Sequence, residues 1–453
     1  MPKELQARWV ALLCGDVFAT LLVPYLFVAV IGMADQQLKP APLYLAGALF
    51  AAVWLTALYF EDLYAIDTYR PRSQVAIRLL GAGGSALLIV IAVALLSPSI
   101  ELDVNSQILY AAVAGVALGV WRLSLAFVPW QNVGVAVLGT SECAVEIARV
   151  VKRNQHLGYR LLGYVDRCGS GPTELVNGAP VLRVSSLMHF PQRRVTNVAV
   201  VSCGARDSFS PMELLQWRLE GTKVIDCDSF YERLTGKLRV PNVQESWLAL
   251  APGFYRSNIA LRLKRTLDII GALALLGLCS PICAVCVIAI RLESRGSIFY
   301  SQERAGLAGK TFRIYKFRSM RDRAEKETGP VWCQVDDPRV TRVGRLLRRF
   351  RIDEIPQLVN VLKGEMSLVG PRPERPEMTA ELSSLIPLYE YRLSVPPGLT
   401  GWAQICLPYG ASIDEAREKL CFDLYYVKNW SVTLDMQILL QSIKVVLFGR
   451  GAR

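Results

Sequence analysis

The chain has 453 residues, is 52% hydrophobic and has a mean hydropathy of +0.30, too apolar for an ordinary soluble protein of this length. Its formal net charge is +12, and from Arg256 to Arg453 Lys and Arg outnumber Asp and Glu by 30 to 20, so most of the excess lies in the last two-fifths. The length suggests about two or three domains. A basic domain joined to an apolar region points to anionic lipid head groups, phosphorylated substrates or nucleic acid.

The 11 cysteines are scattered, several within apolar stretches, and read as reduced thiols used as small hydrophobes. Cys283 and Cys286 have metal or redox spacing, but their flanks are apolar and no second ligand pair follows. Both histidines, His156 and His189, precede the basic domain, which excludes histidine-centred acid–base or triad chemistry there.

Four apolar runs open the chain: Trp9–Met33, Pro42–Phe60, Val75–Ser97 and Gln107–Val128. Each is near the roughly 20 residues needed to cross a bilayer, and the first is too long for the apolar core of a cleavable signal peptide. Lys3 and Arg8 precede the first run, Arg70 and Arg72 sit in the second loop, and Glu101 and Asp103 occupy a third loop without Lys or Arg. The positive-inside rule then places the N-terminus, the second loop and everything after Val128 in the cytoplasm. Arg78 and Arg122 fall near the cytoplasmic ends of their helices, where long side chains can snorkel; an intramembrane functional charge is the sharper alternative.

From about Asn132 to Pro252 strands and helices alternate. Strand-like runs occur at Val133–Leu138, Tyr159–Val165, Asn197–Cys203 and Lys223–Cys227, with an amphipathic helix over Cys143–Arg153. This pattern predicts a parallel sheet of Rossmann type. The first turn resembles a dinucleotide-binding loop with an incomplete glycine pattern: Gly139 is present, while Ser141 and Ala144 take the later glycine places. A ligand-binding role and a purely structural or regulatory role both stay open.

A linker over Gly253–Asn258 precedes a fifth apolar run, Ile269–Ile290. Ser280-Pro281 sits at its centre, and proline removes a helical hydrogen bond and bends the axis. Arg262, Lys264 and Arg265 flank one end, Arg291 and Arg295 the other. Positive charge on both sides suits a helix that dips into the inner leaflet and returns to the same face. Strand-like alternation follows over Ser297–Arg304 and Thr311–Arg318 around a Gly306/Gly309 turn, then a basic helix with Arg342, Arg345, Arg348 and Arg349 on one face.

Next come the adjacent acids Asp353 and Glu354, just before Ile355-Pro356, where a helix is expected to begin. Carboxylates at that point meet unpaired backbone N–H groups, which keep them ionised. Neighbouring residues face different ways, so one acid could attack phosphorus while the other holds Mg2+. A plain helix cap paired with nearby arginines is the competing reading. Pro371-Arg372-Pro373 presents a guanidinium on a stiffened backbone, a good phosphate ligand or else a solvent-facing loop. Pro396-Pro397-Gly398 is a further rigid loop, and a terminal amphipathic helix is predicted over Leu434–Phe448. Residue chemistry alone also admits a membrane-bound NAD-dependent dehydratase or epimerase built on the middle module, or a non-catalytic scaffold binding anionic lipid or nucleic acid.

From about Leu263 onward the chain resembles the bacterial sugar transferases, the monotopic phosphoglycosyl transferases that act on polyprenyl phosphate. The resemblance is carried by Lys264-Arg265-Thr266-Leu267-Asp268, Ser280-Pro281, Lys316-Phe317-Arg318-Ser319-Met320, Arg351 to Leu358, Met366 to Pro373 and Pro397 to Gly401. The whole chain is similar to the large members, and among them to the exosortase-associated exopolysaccharide transferases. The implied fold class is a membrane α/β protein: four transmembrane helices (residues 1–130), a cytoplasmic Rossmann-like module (131–252), and a mainly α catalytic domain (253–453) with a re-entrant helix over 262–292. The implied reaction moves a sugar-1-phosphate from a UDP-sugar to undecaprenyl phosphate and releases UMP. The resemblance assigns Asp353 as covalent nucleophile and Glu354 as the Mg2+-linked acid, with Asp353 beside it at the metal. It makes Lys316, Arg318, Arg351 and Arg372 phosphate-binding, and Ser280-Pro281 the break in the re-entrant helix. Further expectations are a homodimer in the bacterial inner membrane, contact with its lipid, and no nucleic-acid partner.

Overall fold

The computed structural model describes residues 12–22, 51–61, 63–64, 77–86, 89, 104–127, 133–155, 158–167, 175–176, 178–184, 186–192, 195–202, 208–240, 251–321, 339–407 and 412–447. It divides into two compact units, Met1–Leu234 and Thr235–Arg453.

In the first unit, each of the four apolar runs contains helix, at Leu12–Leu21, Ala51–Phe60, residues 77–86 and α1 (Val104–Phe127). The loops used to set membrane orientation lie outside the described residues. Ala19, Trp54, Leu58, Ala82, Ala86, Ala114 and Leu118, drawn from all four stretches, pack into one cluster. Arg122 does not snorkel: it is 6% exposed. Its guanidinium donates to both carboxylate oxygens of Asp16 at 2.9 and 2.5 Å and to the Leu63 carbonyl at 2.9 Å, and it stacks over the Tyr64 ring. Three stretches distant in sequence are thus joined at one buried charge, whose cost of burial is offset by its bidentate partner.

The rest of that unit is the expected parallel sheet. Strands β1 (Val133–Leu138), β2 (Tyr159–Asp166), β3 (Leu175–Val176), β4 (Ala179–Arg183), β5 (Thr196–Val201) and β6 (Lys223–Asp226) lie in the order β3-β4-β2-β1-β5-β6. All neighbours are parallel except the short edge pair β3–β4, which sequence reading missed. Helix α2 (Glu142–Arg153) covers one face, its Ala144, Ile147, Ala148 and Val151 packing on Val135, Val137, Val198 and Val200. Trp217 of α3 (Pro211–Leu219) helps cover the other, against Ala136, Leu138, Ala199 and Val201. Chain order reverses between β1 and β5, the point at whose carboxyl ends open α/β sheets take their ligands.

The second unit is organised by α4, which runs unbroken from Asn258 to Glu293 for 36 residues, about 54 Å at 1.5 Å per residue. Helical structure continues through Ser280-Pro281, so these residues do not interrupt the helix as expected; the Ser280 hydroxyl donates to the Gly277 carbonyl at 2.8 Å. Proline is tolerated inside a long apolar helix where neighbouring groups take up the freed carbonyl. Among the described residues, α4 is the one helix long and apolar enough to cross a membrane. Its mid-section is bare, with Leu273, Leu278 and Val285 55%, 76% and 66% exposed.

Both ends of α4 are fastened to the same unit. Near its start, Lys264 Nζ pairs with Asp435 at 2.7 Å, Arg265 donates to the carbonyls of Val361 and Leu362 at 2.6 and 2.7 Å, and the Asp268 carboxylate accepts from Ser367 Oγ and Leu368 N at 3.0 and 2.9 Å. Near its end, Cys286 and Ile290 pack on Phe317 and Leu347. The antiparallel hairpin β7 (Phe299–Ala305) and β8 (Thr311–Phe317) follows as expected, then α5 (Arg342–Arg349). Later elements are α6 (Leu358–Lys363), β9 (Ser367–Val369), α7 (Pro376–Leu385), β10 (Gly398–Thr400), α8 (Trp402–Cys406), α9 (Ile413–Asn429) and α10 (Val432–Leu447).

Candidate active site

The α-helix expected to begin at Ile355-Pro356 begins instead at Leu358, so Asp353 and Glu354 do not stand immediately before it. They lie in the first turn of a 3-10 segment, Ile352–Gln357, which leads directly into α6. Entry to that segment is through Arg351, a non-glycine residue in the left-handed region at φ 53°. Such a conformation costs on the order of 1 kcal/mol and persists only where the surroundings hold it. The tight turn packs the acids against β8, and both are buried, at 8% and 7% exposure.

Their environments differ. Glu354 Oε1 accepts from Arg372 Nη2 at 2.7 Å and Lys316 Nζ at 3.1 Å, and Arg351 lies 3.6 Å from Oε2. Burial opposes its ionised form, but Arg372, Lys316 and Arg351 together hold the carboxyl well below the usual range. Asp353 takes none of these hydrogen bonds or ion pairs from a described residue. Burial pushes its carboxyl up to about 6, helped by the negative Glu354 and resisted by Lys316, Arg348 and Arg372. One acid is therefore a fixed anchor for three cations, and its neighbour is a carboxylate set among cations without being clamped by them.

The cations come from three elements. Lys316 stands on β8, whose position is locked by Asn360: this fully buried amide donates to the Arg313 carbonyl at 2.7 Å and accepts from Tyr315 N at 3.1 Å. Arg372 stands on the Pro371–Glu374 segment, where four successive carbonyls accept hydrogen bonds. Their donors are Gly398 N for Pro371, Arg392 for Arg372, Arg304 for Pro373 and Ala305 N for Glu374, at 2.9, 2.9, 3.2 and 2.9 Å. Sequence reading expected two rigid loops here; the structure instead joins β9 and β10 as a two-stranded parallel sheet. Gly370 and Gly398 are required at that join, because a Cβ on Gly370 would sit 2.4 Å from the Pro396 carbonyl oxygen and one on Gly398 2.1 Å from the Gly370 nitrogen.

Behind Arg372 is a network that sequence reading missed. Arg392 is 2% exposed, pairs with Asp423 through two nitrogens at 2.8 and 3.1 Å, and donates to Tyr389 Oη and to the Arg372 carbonyl. Glu374 pairs with Lys419; burial opposes its charge, but Lys419, Arg392 and Arg304 take its carboxyl down to about 2. The available signal was the buried-looking Arg392 and Asp423 amid aromatic residues, but their pairing spans two elements and has no local spacing.

Arg318 is not part of the cluster. Its guanidinium donates to the Ser294 carbonyl and hydroxyl and to the Arg295 carbonyl at 2.9, 2.8 and 3.1 Å, closing the end of α4. That satisfies carbonyls a helix terminus leaves open and uses the donors a phosphate would need. Ser280 and Pro281 lie on the exposed mid-section of α4.

Among the described residues no cluster of three or more His, Cys, Asp or Glu forms a metal cage. A Mg2+ ion commonly takes only one or two carboxylates and completes its shell with water and phosphate oxygens. The Asp353–Glu354 pair fits that habit, since among the described residues Asp353 has no ion-pair partner and Glu354 Oε2 has only the longer contact to Arg351.

Residues 259–449 match the family model for bacterial sugar transferases. A UDP-N-acetylgalactosamine-undecaprenyl-phosphate N-acetylgalactosaminephosphotransferase from Aeromonas hydrophila is 44% identical over 223 residues, covering 49% of this chain and 52% of that protein. An undecaprenyl-phosphate glucose phosphotransferase from Komagataeibacter xylinus is 32% identical over 333 residues, covering 70% and 60%. The chain thus spans between about half and three-fifths of the length of these two relatives. A UDP-glucose:undecaprenyl-phosphate glucose-1-phosphate transferase from Caulobacter vibrioides is 42% identical over 205 residues, 76% of its length. With its ordered motifs and the matched segment enclosing α4, the acid pair and Arg372, the chain belongs to the bacterial sugar transferase family.

Proposed function

We propose that the chain is a phosphoglycosyl transferase that moves a hexose-1-phosphate from a UDP-sugar to undecaprenyl phosphate, releasing UMP and initiating exopolysaccharide, O-antigen or capsule synthesis. The observation that carries this reading is the unequal environment of two adjacent acids, one clamped by three cations and one left, among the described residues, unpaired beside them. Relatives named for the same class of transfer support it.

Asp353, once ionised, attacks the sugar-linked phosphorus. The bond from that phosphorus to the oxygen bridging the diphosphate breaks, UMP leaves, and the sugar phosphate is held on Asp353. A phosphate oxygen of undecaprenyl phosphate then attacks the same phosphorus, the Asp353–phosphorus bond breaks, and the carboxylate is restored. Arg372, Lys316 and Arg351 bind phosphate oxygens and stabilise charge as it develops. Glu354 holds these cations in place and, with Asp353, would ligate Mg2+, which when bound neutralises diphosphate charge.

The same proposal places α4 as a dip into the inner leaflet of the bacterial inner membrane, entering and leaving on the cytoplasmic face, its axis bending at Pro281 while the helical structure continues. Support comes from its two ends: Lys264, Arg265 and Asp268 near one and Cys286 and Ile290 near the other contact a single folded unit. A helix crossing the bilayer would carry those ends to opposite faces. Lipid would cover the bare Leu273–Val285 stretch, and the four earlier apolar runs would span the membrane. Association as a homodimer is also proposed, and mass photometry in lipid nanodiscs tests it.

The test is UMP release over a panel of UDP-sugars with undecaprenyl phosphate. Release dependent on one or a few UDP-sugars supports the reading; no release from any, with folded protein in native lipid, overturns it.

A further inference from the structure

The sheet of the first unit holds a feature unrelated to the transfer site. Its order reverses between β1 and β5, and the carboxyl ends of β1, β2 and β5 converge there. Gly139 N donates to the Val165 carbonyl at 2.8 Å, and Ser202 N donates to the Leu138 carbonyl at 3.1 Å. Gly139 turns the chain at φ 91° into the 12-residue helix α2, whose first turn of backbone N–H groups stands at this reversal point.

Two hydroxyls here have no partner. Ser202 is fully buried and its Oγ makes no hydrogen bond; Ser141, the residue before α2, also has a buried, unbonded Oγ and does not cap the helix. Side chains alternate along a strand. Val198 and Val200 face α2, while Ala199 and Val201 face the opposite layer, so Ser202 continues the α2 face past the end of β5, beneath the start of α2. By the same alternation Tyr164 faces α2, and Asp166 follows on that face at the end of β2, where its Oδ1 already accepts from Arg167 N at 2.8 Å and a carboxylate has further lone pairs to offer. Glu142, the first residue of α2, is exposed to solvent. A buried hydroxyl left unbonded is unfavourable, and two such groups flank one helix start.

We infer that this reversal point binds a nucleoside phosphate. The phosphate would take the α2 N–H groups with the Ser141 and Ser202 hydroxyls, and the ribose hydroxyls would donate to Asp166 on the other side of β1. Backbone donors at a helix start suit a phosphate, and an acid at the end of the second strand suits a ribose diol.

The experiment is equilibrium dialysis of the full chain in detergent with radiolabelled ADP, UDP and NAD, and with pyrophosphate as a base-free probe. An Arg372→Ala background weakens nucleotide capture at the transfer site. The expected result is saturable binding of at least one nucleotide at one per chain. Ser141→Ala with Ser202→Ala should raise its Kd tenfold or more, with melting temperature unchanged or higher because the orphan hydroxyls are gone. Asp166→Asn should raise the Kd for the nucleotide at least fivefold more than for pyrophosphate. No saturable binding of any nucleotide, or a Kd unmoved by the double serine variant, overturns the site. Pyrophosphate binding as tightly as every nucleotide overturns the nucleoside assignment.

Discussion

Two clusters of charge in the second unit are built from the same residue types and end up with opposite characters. Around Arg392 the central pair is buried and directly bonded, with Arg392 and Asp423 side chains each 2% exposed, while the flanking Lys419–Glu374 pair is part-exposed but closed on itself. Around Glu354, the three cations are each 19% exposed, and the neighbouring acid Asp353 is left outside the pairing. The first cluster is a closed scaffold, since a buried pair is stable only while both partners remain. The second keeps partly exposed guanidinium and ammonium donors beside an unclamped carboxylate, the arrangement that the proposed transfer from a diphosphate requires. The two meet at one bond, from Arg392 to the Arg372 carbonyl.

The strongest way to break this contrast is at the unclamped acid. Asp353→Asn should lower turnover by about 1,000-fold or more while leaving the protein folded, measured as UMP release alongside thermal melting. The melting shift carries a sign. The folded-state value of about 6 lies above the ordinary carboxylate value, so ionising Asp353 weakens the fold as pH rises toward and through 6. At pH 7 and above the Asn variant should be as stable as the parent or more so, and a clear loss of stability would mean Asp353 is a structural residue.

Arg372→Ala should cost about 100-fold or more in kcat/KM, the scale seen when one donor to developing charge is removed. Its effect on stability should be small, because the backbone carbonyls of Pro371 to Glu374 stay bonded. Arg392→Ala should do the reverse first, destabilising by about 3–5 kcal/mol because it strands the buried Asp423. Arg392→Lys keeps the charge but not the planar fork. It should lower kcat by about tenfold with little change in KM for the lipid acceptor, which separates positioning of Arg372 from general unfolding.

The pH profile sharpens the comparison further. On the proposed mechanism the reactive form of Asp353 is the carboxylate, so kcat/KM should rise from acid pH with a limb near pH 6, whereas Glu354 is already ionised well below that range. The smallest effect is expected at Arg318→Gln. It loosens the end of α4 by about 1–2 kcal/mol and should leave the KM for UDP-sugar within about twofold.

Much of the site was legible because its chemistry is local. Asp353 and Glu354 are adjacent, Pro371-Arg372-Pro373 is a short stiff unit, and the alternation of β7 and β8 fixes which side Lys316 takes. The parallel sheet of the first unit was likewise visible as buried apolar runs of strand length. What escaped was set by contacts between distant segments. Arg318 has the composition of a phosphate ligand and stands two residues from Lys316, yet the end of α4 reaches it first. The β9–β10 sheet pairs segments whose glycines read as loop residues until their backbones are seen to touch. Asp16 and Arg122 sit in separate apolar runs, and nothing in either run announces the other. The 3-10 turn at the acids also escaped, because proline at Pro356 suits the start of an α-helix equally well.

On the proposed mechanism the sugar phosphate passes through Asp353. Wild-type protein incubated with its UDP-sugar and no lipid acceptor, then quenched and analysed by peptide mass spectrometry, tests this directly. The predicted result is one hexose-phosphate on the peptide containing Asp353, formed with one equivalent of UMP and discharged on adding undecaprenyl phosphate. UMP formation that always requires the lipid acceptor, with no adduct on that peptide, would contradict it.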